Sequence, residues 1–210
     1  MKEMARKIDI DDKKIIEIAR ELFLQKGIRR TEMVDIAQRV KIGRSSLYRH
    51  FPSKDAIAFQ IAMEVLDQIN SPLTEVLPSD WDGYRKAEYC LKNFVSGIIE
   101  HTDEIRFLDE FDQIFTDRYP EGSMSEKYTE YNRQPHSVLV EYLQEGIGDG
   151  SIRNMENLEL LEKTIVNTLM GTAQRVLPRE EHLMEEQGYA REYLLYCLDL
   201  ILDCLRPKRQ

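Results

Sequence analysis

The sequence predicts an all-α protein: an N-terminal three-helix, helix-turn-helix domain over residues 1–53, followed by a larger helical bundle over 54–210. Three observations predict it. Apolar residues recur at three- and four-residue spacing along most of the chain, with no convincing alternating run. Proline and glycine fall between the periodic segments, at Pro52, Pro120-Glu121-Gly122, Gly148-Asp149-Gly150 and Pro178. Charge divides in the same place. Residues 1–60 carry 14 Lys and Arg against 9 Asp and Glu, and the remainder carries 15 against 29, so a segment of +5 is joined to one of −14 within a chain of −9.

The first helix starts near Asp11 or Asp12, whose carboxylates suit a helix N-terminus. Ile15, Ile18, Ala19, Leu22 and Phe23 form its apolar face, and Lys26 with Gly27 ends it. Thr31 is placed to cap a second helix that buries Met33, Val34, Ile36, Ala37 and Val40. The turn runs from Val40 to Gly43, with Ile42 directed into the core. A third helix, Arg44 to Phe51, buries Leu47 and Phe51. Pro52 stops it, and Ser53 caps a fourth helix from Lys54 to about Ile69. Beyond a connector at 71–82, helices are expected at 83–101, 103–116, 125–147, 156–177 and 187–205.

Hydrophobic content of 42% and charged content of 32% are those of a soluble globular protein. No apolar run approaches the roughly 20 residues that span a bilayer. The start, MKEMARKIDI, lacks the apolar stretch of a signal peptide. Cys90, Cys197 and Cys204 are too few for a disulfide framework and read as buried, reduced thiols, with nothing cationic beside Cys197 or Cys204. A cytoplasmic chain without membrane association is expected.

The short third helix turns Arg44, Ser45, Ser46, Tyr48 and Arg49 outward, side chains that suit the DNA major groove. Arg44 at the start of the helix can make two hydrogen bonds to guanine O6 and N7, worth roughly 1–3 kcal/mol of discrimination. Either serine can meet a base or a phosphate. Tyr48, His50 and Lys54 can hold the backbone, Lys54 beside the positive N-terminus of the fourth helix.

The pattern A-x-x-L-F-x-x-x-G over Ala19 to Gly27, with Thr31, Ile36-Ala37 and Leu47-Tyr48-x-His50-Phe51-x-Ser53-Lys54, closely resembles the TetR/AcrR family of transcriptional regulators over about residues 12–60. The resemblance implies a homodimeric repressor that binds a palindromic double-stranded DNA operator through its N-terminal helices. It also implies a C-terminal helical domain that binds a small-molecule effector and releases the DNA. The family's base-contacting positions fall on Arg44, Ser45 and Ser46, and its phosphate-contacting positions on Tyr48, His50 and Lys54, with Thr31 at the start of the second helix. Two positions depart from the family pattern. Lys41 stands in the turn where glycine is usual, and Gly43 where a serine cap is common. A positive φ at Lys41 would cost of order 1 kcal/mol.

After residue 60 the pattern alone guides the reading. The segment Gly188 to Leu205 is apolar over more than half its circumference, which calls for burial on two sides. Leu158 to Leu177 carries Gly171, Thr172 and Ala173, small residues that permit close helix approach. A homodimer through these last two helices is expected, with a central core helix of a monomer as the alternative. Phe107, Phe111 and Phe115 form an aromatic stripe at helical spacing, a core pattern that could also line a ligand site. Phe94, Glu104, Phe107, Phe111 and Tyr142 are the candidate ligand residues. The histidines His50, His101, His136 and His182 are scattered, and no phosphate loop or catalytic set is present, so no metal, cofactor or enzymatic activity is expected. A dimeric DNA-binding protein without an effector is the alternative, and a small all-α enzyme a further one.

Overall fold

In the computed structural model the described residues are 11–133 and 137–207, and they form eleven α-helices and two short 3-10 turns with no strand among them. The opening segment 1–10, residues 134–136 with His136, and residues 208–210 lie outside the described residues. The helices are α1 (Asp12–Lys26), α2 (Met33–Val40), α3 (Arg44–His50), α4 (Lys54–Asn70), α5 (Gly83–Glu100), α6 (Thr102–Ile114), α7 (Ser123–Arg133), α8 (Leu139–Asp149), α9 (Leu158–Val176), α10 (Glu180–Gln187) and α11 (Arg191–Leu205). No helix of the described residues is long and apolar enough to cross a membrane.

The chain divides into two compact units, Met1–Val65 with Phe107–Arg133, and Leu66–Arg106 with Gln134–Gln210. This division differs from a cut at residue 53, and the aromatic residues explain the difference. The Phe59 ring of α4 lies 5.0 Å from Phe111, 4.7 Å from Phe115 and 5.4 Å from Tyr128. Those contacts draw the end of α6 and all of α7 into the first unit. Burial there pushes the Tyr128 phenol far above its ordinary range.

Within the first unit α1 buries Ile15, Ile16, Ala19 and Phe23, and Asp11 accepts from the Lys13 N–H as its N-cap. Helix α2 buries Met33, Ile36, Ala37 and Val40, while Val34 and Ile42 are only half-buried. The expectation that both lie in the core is corrected. The stripe of α2 centres on Ile36 and Val40, which turns Val34 to its flank. Helix α3 ends one residue short of Phe51, which remains buried as its C-cap. The Ser53 Oγ accepts from the Ala56 N–H at 3.1 Å and caps α4 as expected.

In the second unit α5 packs against α8, α9 and α11. It crosses α8 at Gly83, where a Cβ would lie 2.0 Å from the Gly146 N, so only glycine permits the approach. Cys90 is buried in α5, and desolvation pushes its thiol up to about 11. Two boundaries differ from expectation. Helix 125–147 is replaced by two helices, α7 ending at Arg133 and α8 starting at Leu139. Residues after Pro178 form α10, whose Leu183 packs with Val176 and Ala190, and the last helix starts only at Arg191.

Helix α11 buries Leu194, Leu198, Leu202 and Leu205 along one line. Its opposite face leaves Tyr196 and Leu200 exposed at 66% and 55%, and Leu195 on the flank is exposed at 46%. Beside it a groove of about 650 Å³ is lined by Asn167, Thr168, Gly171 and Thr172 of α9 together with Tyr193 and Cys197 of α11.

Candidate nucleic-acid interface

The reading face is assembled from two tight turns and the short helix between the second turn and α4. The first turn leaves α1 at Gly27, whose φ of 86° and ψ of 158° suit glycine. Thr31 closes this turn: its hydroxyl donates to the Gly27 carbonyl at 2.8 Å and its side chain is buried. Thr31 neither caps α2 nor stands exposed as a DNA contact. Its oxygen is committed to the turn, and α2 begins after Glu32, whose N–H donates to Asp35 Oδ2 at 2.9 Å. The Lys26 ammonium on Asp35, and next the Glu32 amide, hold that carboxyl below its usual range.

The second turn is left-handed at Lys41, with φ 64° and ψ 44°. The Lys41 N–H reaches the Gln38 carbonyl at 3.1 Å and the Ile42 N–H reaches the Ala37 carbonyl at 3.0 Å, which closes α2. Gly43, by contrast, sits at φ −69° and ψ 148°, a conformation open to any residue, and gives no relief to Lys41. It precedes α3 without a side-chain cap.

Leu47 anchors α3 from beneath, fully buried, and the outward row follows from its position. Arg44, Ser45, Tyr48, Arg49 and His50 are exposed and Ser46 is half-buried. Arg49 Nη2 donates to Ser46 Oγ at 3.0 Å, so these two are presented as a pair. His50 Nδ1 meets Asp12 Oδ1 at 2.5 Å, which commits that ring nitrogen to the start of α1. Lys54 Nζ donates to the Arg29 carbonyl at 3.3 Å and is half-buried at the start of α4. All of the expected DNA-contacting residues thus fall in one unit, and all but Thr31 retain surface exposure.

Sequence reasoning named Lys41 only for its backbone and did not name Arg29 or Arg30; all three are exposed cations in the two turns. The Arg29-Arg30 pair beside a helix-ending glycine in a basic segment was the available signal. It also passed over Glu110, whose carboxylate accepts from the Ile28 and Arg29 N–H groups at 2.8 and 3.0 Å.

The candidate ligand residues are divided between the units. Phe107 and Phe111 belong to the first, where Phe107 stacks on Phe23 at 6.2 Å and Phe111 joins the Phe59 cluster. Phe94, Glu104 and Tyr142 belong to the second. Phe94 is fully buried in α5. The Tyr142 hydroxyl donates to the Glu75 carbonyl at 2.8 Å and accepts from the Leu77 N–H at 2.9 Å, and the Lys86 ammonium lies 5.3 Å from its ring. Lys86 is itself buried and pairs with Glu145, the bond that chiefly raises its pKa. Glu104 is half-buried, 3.9 Å from His101 Nδ1.

Cys197 is half-buried and Cys204 exposed, contrary to the expected burial of both. The Arg153 guanidinium lies 2.9 Å from Cys204 Sγ, a cation that only the fold brings there. No cluster of metal-binding side chains occurs among the described residues.

Residues 15–61 match the family described as "Bacterial regulatory proteins, tetR family". Over 189 residues the chain is 25% identical to the HTH-type transcriptional repressor KstR2 of Rhodococcus jostii, covering 88% of each chain. Its fold is similar to that of Thermus thermophilus FadR in complex with lauroyl-CoA, with 17% identity, a TM-score of 0.64 and coverage of 95% and 97%. It is similar also to Bacillus subtilis FadR in complex with stearoyl-CoA, with 18% identity, a TM-score of 0.63 and coverage of 93% and 100%. At these identities the two structures establish a shared fold.

Proposed function

Because residues 15–61 make the chain a member of the TetR family of bacterial regulatory proteins, we propose that it is a ligand-responsive repressor that binds a palindromic operator as a homodimer. The observation that carries this reading is the row of Arg44, Ser45, Tyr48 and Arg49, exposed on a short helix whose opposite side is anchored by fully buried Leu47. Such a helix enters the major groove, with Arg44, Ser45 and Ser46 at bases and Tyr48, Arg49, His50 and Lys54 at phosphates. Residues 1–53 carry this reading head, and residues 54–210 serve effector binding and dimerisation.

Dimerisation through α9 and α11 is supported by the exposed Leu195, Tyr196 and Leu200 beside the groove at Gly171 and Thr172. A second copy supplies the self-complementary surface that such a face needs, and places two reading heads on two half-sites. For the effector we propose a long-chain acyl-CoA thioester, the class held by the two FadR proteins of similar fold. Release requires that the thioester bind more tightly to the arrangement that does not hold DNA. Helix α4, which starts at Lys54 and passes from one unit into the other after Val65, is the proposed lever.

The test is operator binding by fluorescence anisotropy with the upstream DNA of the chain's own coding sequence, titrated with lauroyl-CoA and stearoyl-CoA. Free CoA and the free fatty acids are the controls. Specific binding reversed by a thioester alone is the expected result. Binding unaffected by any of them favours a DNA-binding protein without this effector.

A further inference from the structure

We infer that Glu110 is a positioning residue for DNA recognition: its carboxylate, carried on α6, fixes the α1–α2 turn and through it the placement of α2 and α3. The inference rests on the DNA-binding reading above. In the turn from Gly27 to Thr31 the Gly27 N–H reaches the Phe23 carbonyl and the Thr31 N–H the Ile28 carbonyl, whereas the Ile28 and Arg29 amides take their partners from elsewhere. Glu110 supplies them in a two-pronged contact, Oε2 to the Ile28 N–H at 2.8 Å and Oε1 to the Arg29 N–H at 3.0 Å. Hydrogen bonds to an ionised acceptor are roughly twice as strong as neutral ones. The fit is close, since a Cβ on Gly27 would lie 2.9 Å from Oε2.

The same turn is tied to the reading residues. Lys54 donates to the Arg29 carbonyl, Thr31 to the Gly27 carbonyl, and α2 begins two residues after Thr31. Glu110 reaches it from 82 residues along the chain, on a helix that starts at Thr102 in the second unit and ends at Ile114 in the first. A displacement of α6 therefore acts on the turn through this carboxylate. The placement also runs against simple electrostatics. A negative charge beside a basic DNA-facing segment weakens attraction to phosphates, so what Glu110 contributes there is its hold on the turn.

That conflict gives the test its sign. The wild-type full chain is used to select a duplex from a random pool, and anisotropy then measures affinity for that duplex well below the melting temperature. Glu110→Gln keeps the shape but presents an NH₂ group to one of the two amides. Loss of one negative charge by itself tightens DNA binding, as the control Asp109→Asn should do slightly. Loss of positioning weakens it. Glu110→Gln should weaken binding about tenfold, with unchanged far-UV circular dichroism and faster amide exchange across residues 27–31. Glu110→Asp, retaining the charge on a shorter arm, should recover part of the affinity. Unchanged or tighter binding by Glu110→Gln overturns the positioning role while the DNA-binding reading stands. A wild-type chain that selects no duplex overturns that reading, and the positioning role with it.

Discussion

His50 Nδ1 lies 2.5 Å from Asp12 Oδ1, joining the last residue of α3 to the first residue of α1. The pair ties α3 to the start of α1. Its side chains are 30% and 59% exposed, so solvent screening limits its strength to roughly 0.2–1 kcal/mol. A double-mutant cycle of Asp12→Ala and His50→Ala in urea unfolding should return a coupling within that range. The cycle cancels the separate contribution of Asp12 to the first turn of α1. A coupling of zero would remove the pair from the account of how α3 is held.

Arg44 and Lys54 should respond differently to truncation. Arg44→Ala should cost about 1–3 kcal/mol on the preferred duplex and relax discrimination at one base pair. Lys54→Ala should weaken binding to every sequence and lower the salt slope by about one. Equal losses across all duplexes from both variants would refute Arg44 as a base reader.

The strain at Lys41 can be relieved. With φ at 64°, Lys41→Gly should stabilise the fold by about 1 kcal/mol. Gly43 has open space around its missing Cβ and an extended backbone, so Gly43→Ser adds a cap to α3 worth a few tenths of a kcal/mol. Thermal and urea unfolding check both. A loss of stability in the first variant would show that Lys41 makes a favourable contact outweighing its strain.

Tyr196 and Leu200 stand outward on α11, one helical turn apart. Tyr196→Glu and Leu200→Glu should convert a dimer to a monomer in sedimentation at micromolar concentration, with helix content retained, because like charges would face each other across a two-fold contact. Operator affinity should fall with the loss of the second reading head. Wild type sedimenting as a monomer would sink the dimer proposal.

Acid should loosen the first unit through Asp35. Lys26 holds its folded-state pKa below the ordinary 3.8, so its contribution is present above that value and is lost as pH falls through the lower folded value. Urea midpoints should therefore decline below about pH 4, and Lys26→Met should flatten the decline. An unaltered pH profile in that variant would assign the acid sensitivity to other carboxylates, Asp149 among them, whose pKa Ser151 and the Gly83 amide lower.

Much of the first unit was legible in the chain itself. The ends of α1 at Asp11 and Gly27, the anchor Leu47 and the outward row from Arg44 to Arg49 all follow from periodicity and capping within a few residues. The split of 125–147 into α7 and α8 was less legible, and so was the extra helix α10, whose apolar positions are Leu183 and Met184 alone, too few to show a helical period. The aromatic stripe was read correctly as helical, but its neighbours were not. Phe107 and Phe111 pack on Phe23 and Phe59 of the first unit, whereas Phe94 and Tyr142 lie in the second.

By itself the sequence determined the helical class, the basic N-terminal segment and which side chains of α3 face outward, because each depends on composition or on spacing along a single helix. Only the tertiary structure decided that Thr31 is buried in a turn, that Arg153 adjoins Cys204, and that Glu110 holds the Ile28 and Arg29 amides. The last two are meetings of groups far apart in the chain, 51 residues for Arg153 and Cys204 and 82 for Glu110 and Ile28. Local periodicity gives the face a residue occupies, while the packing of whole helices chooses its partner.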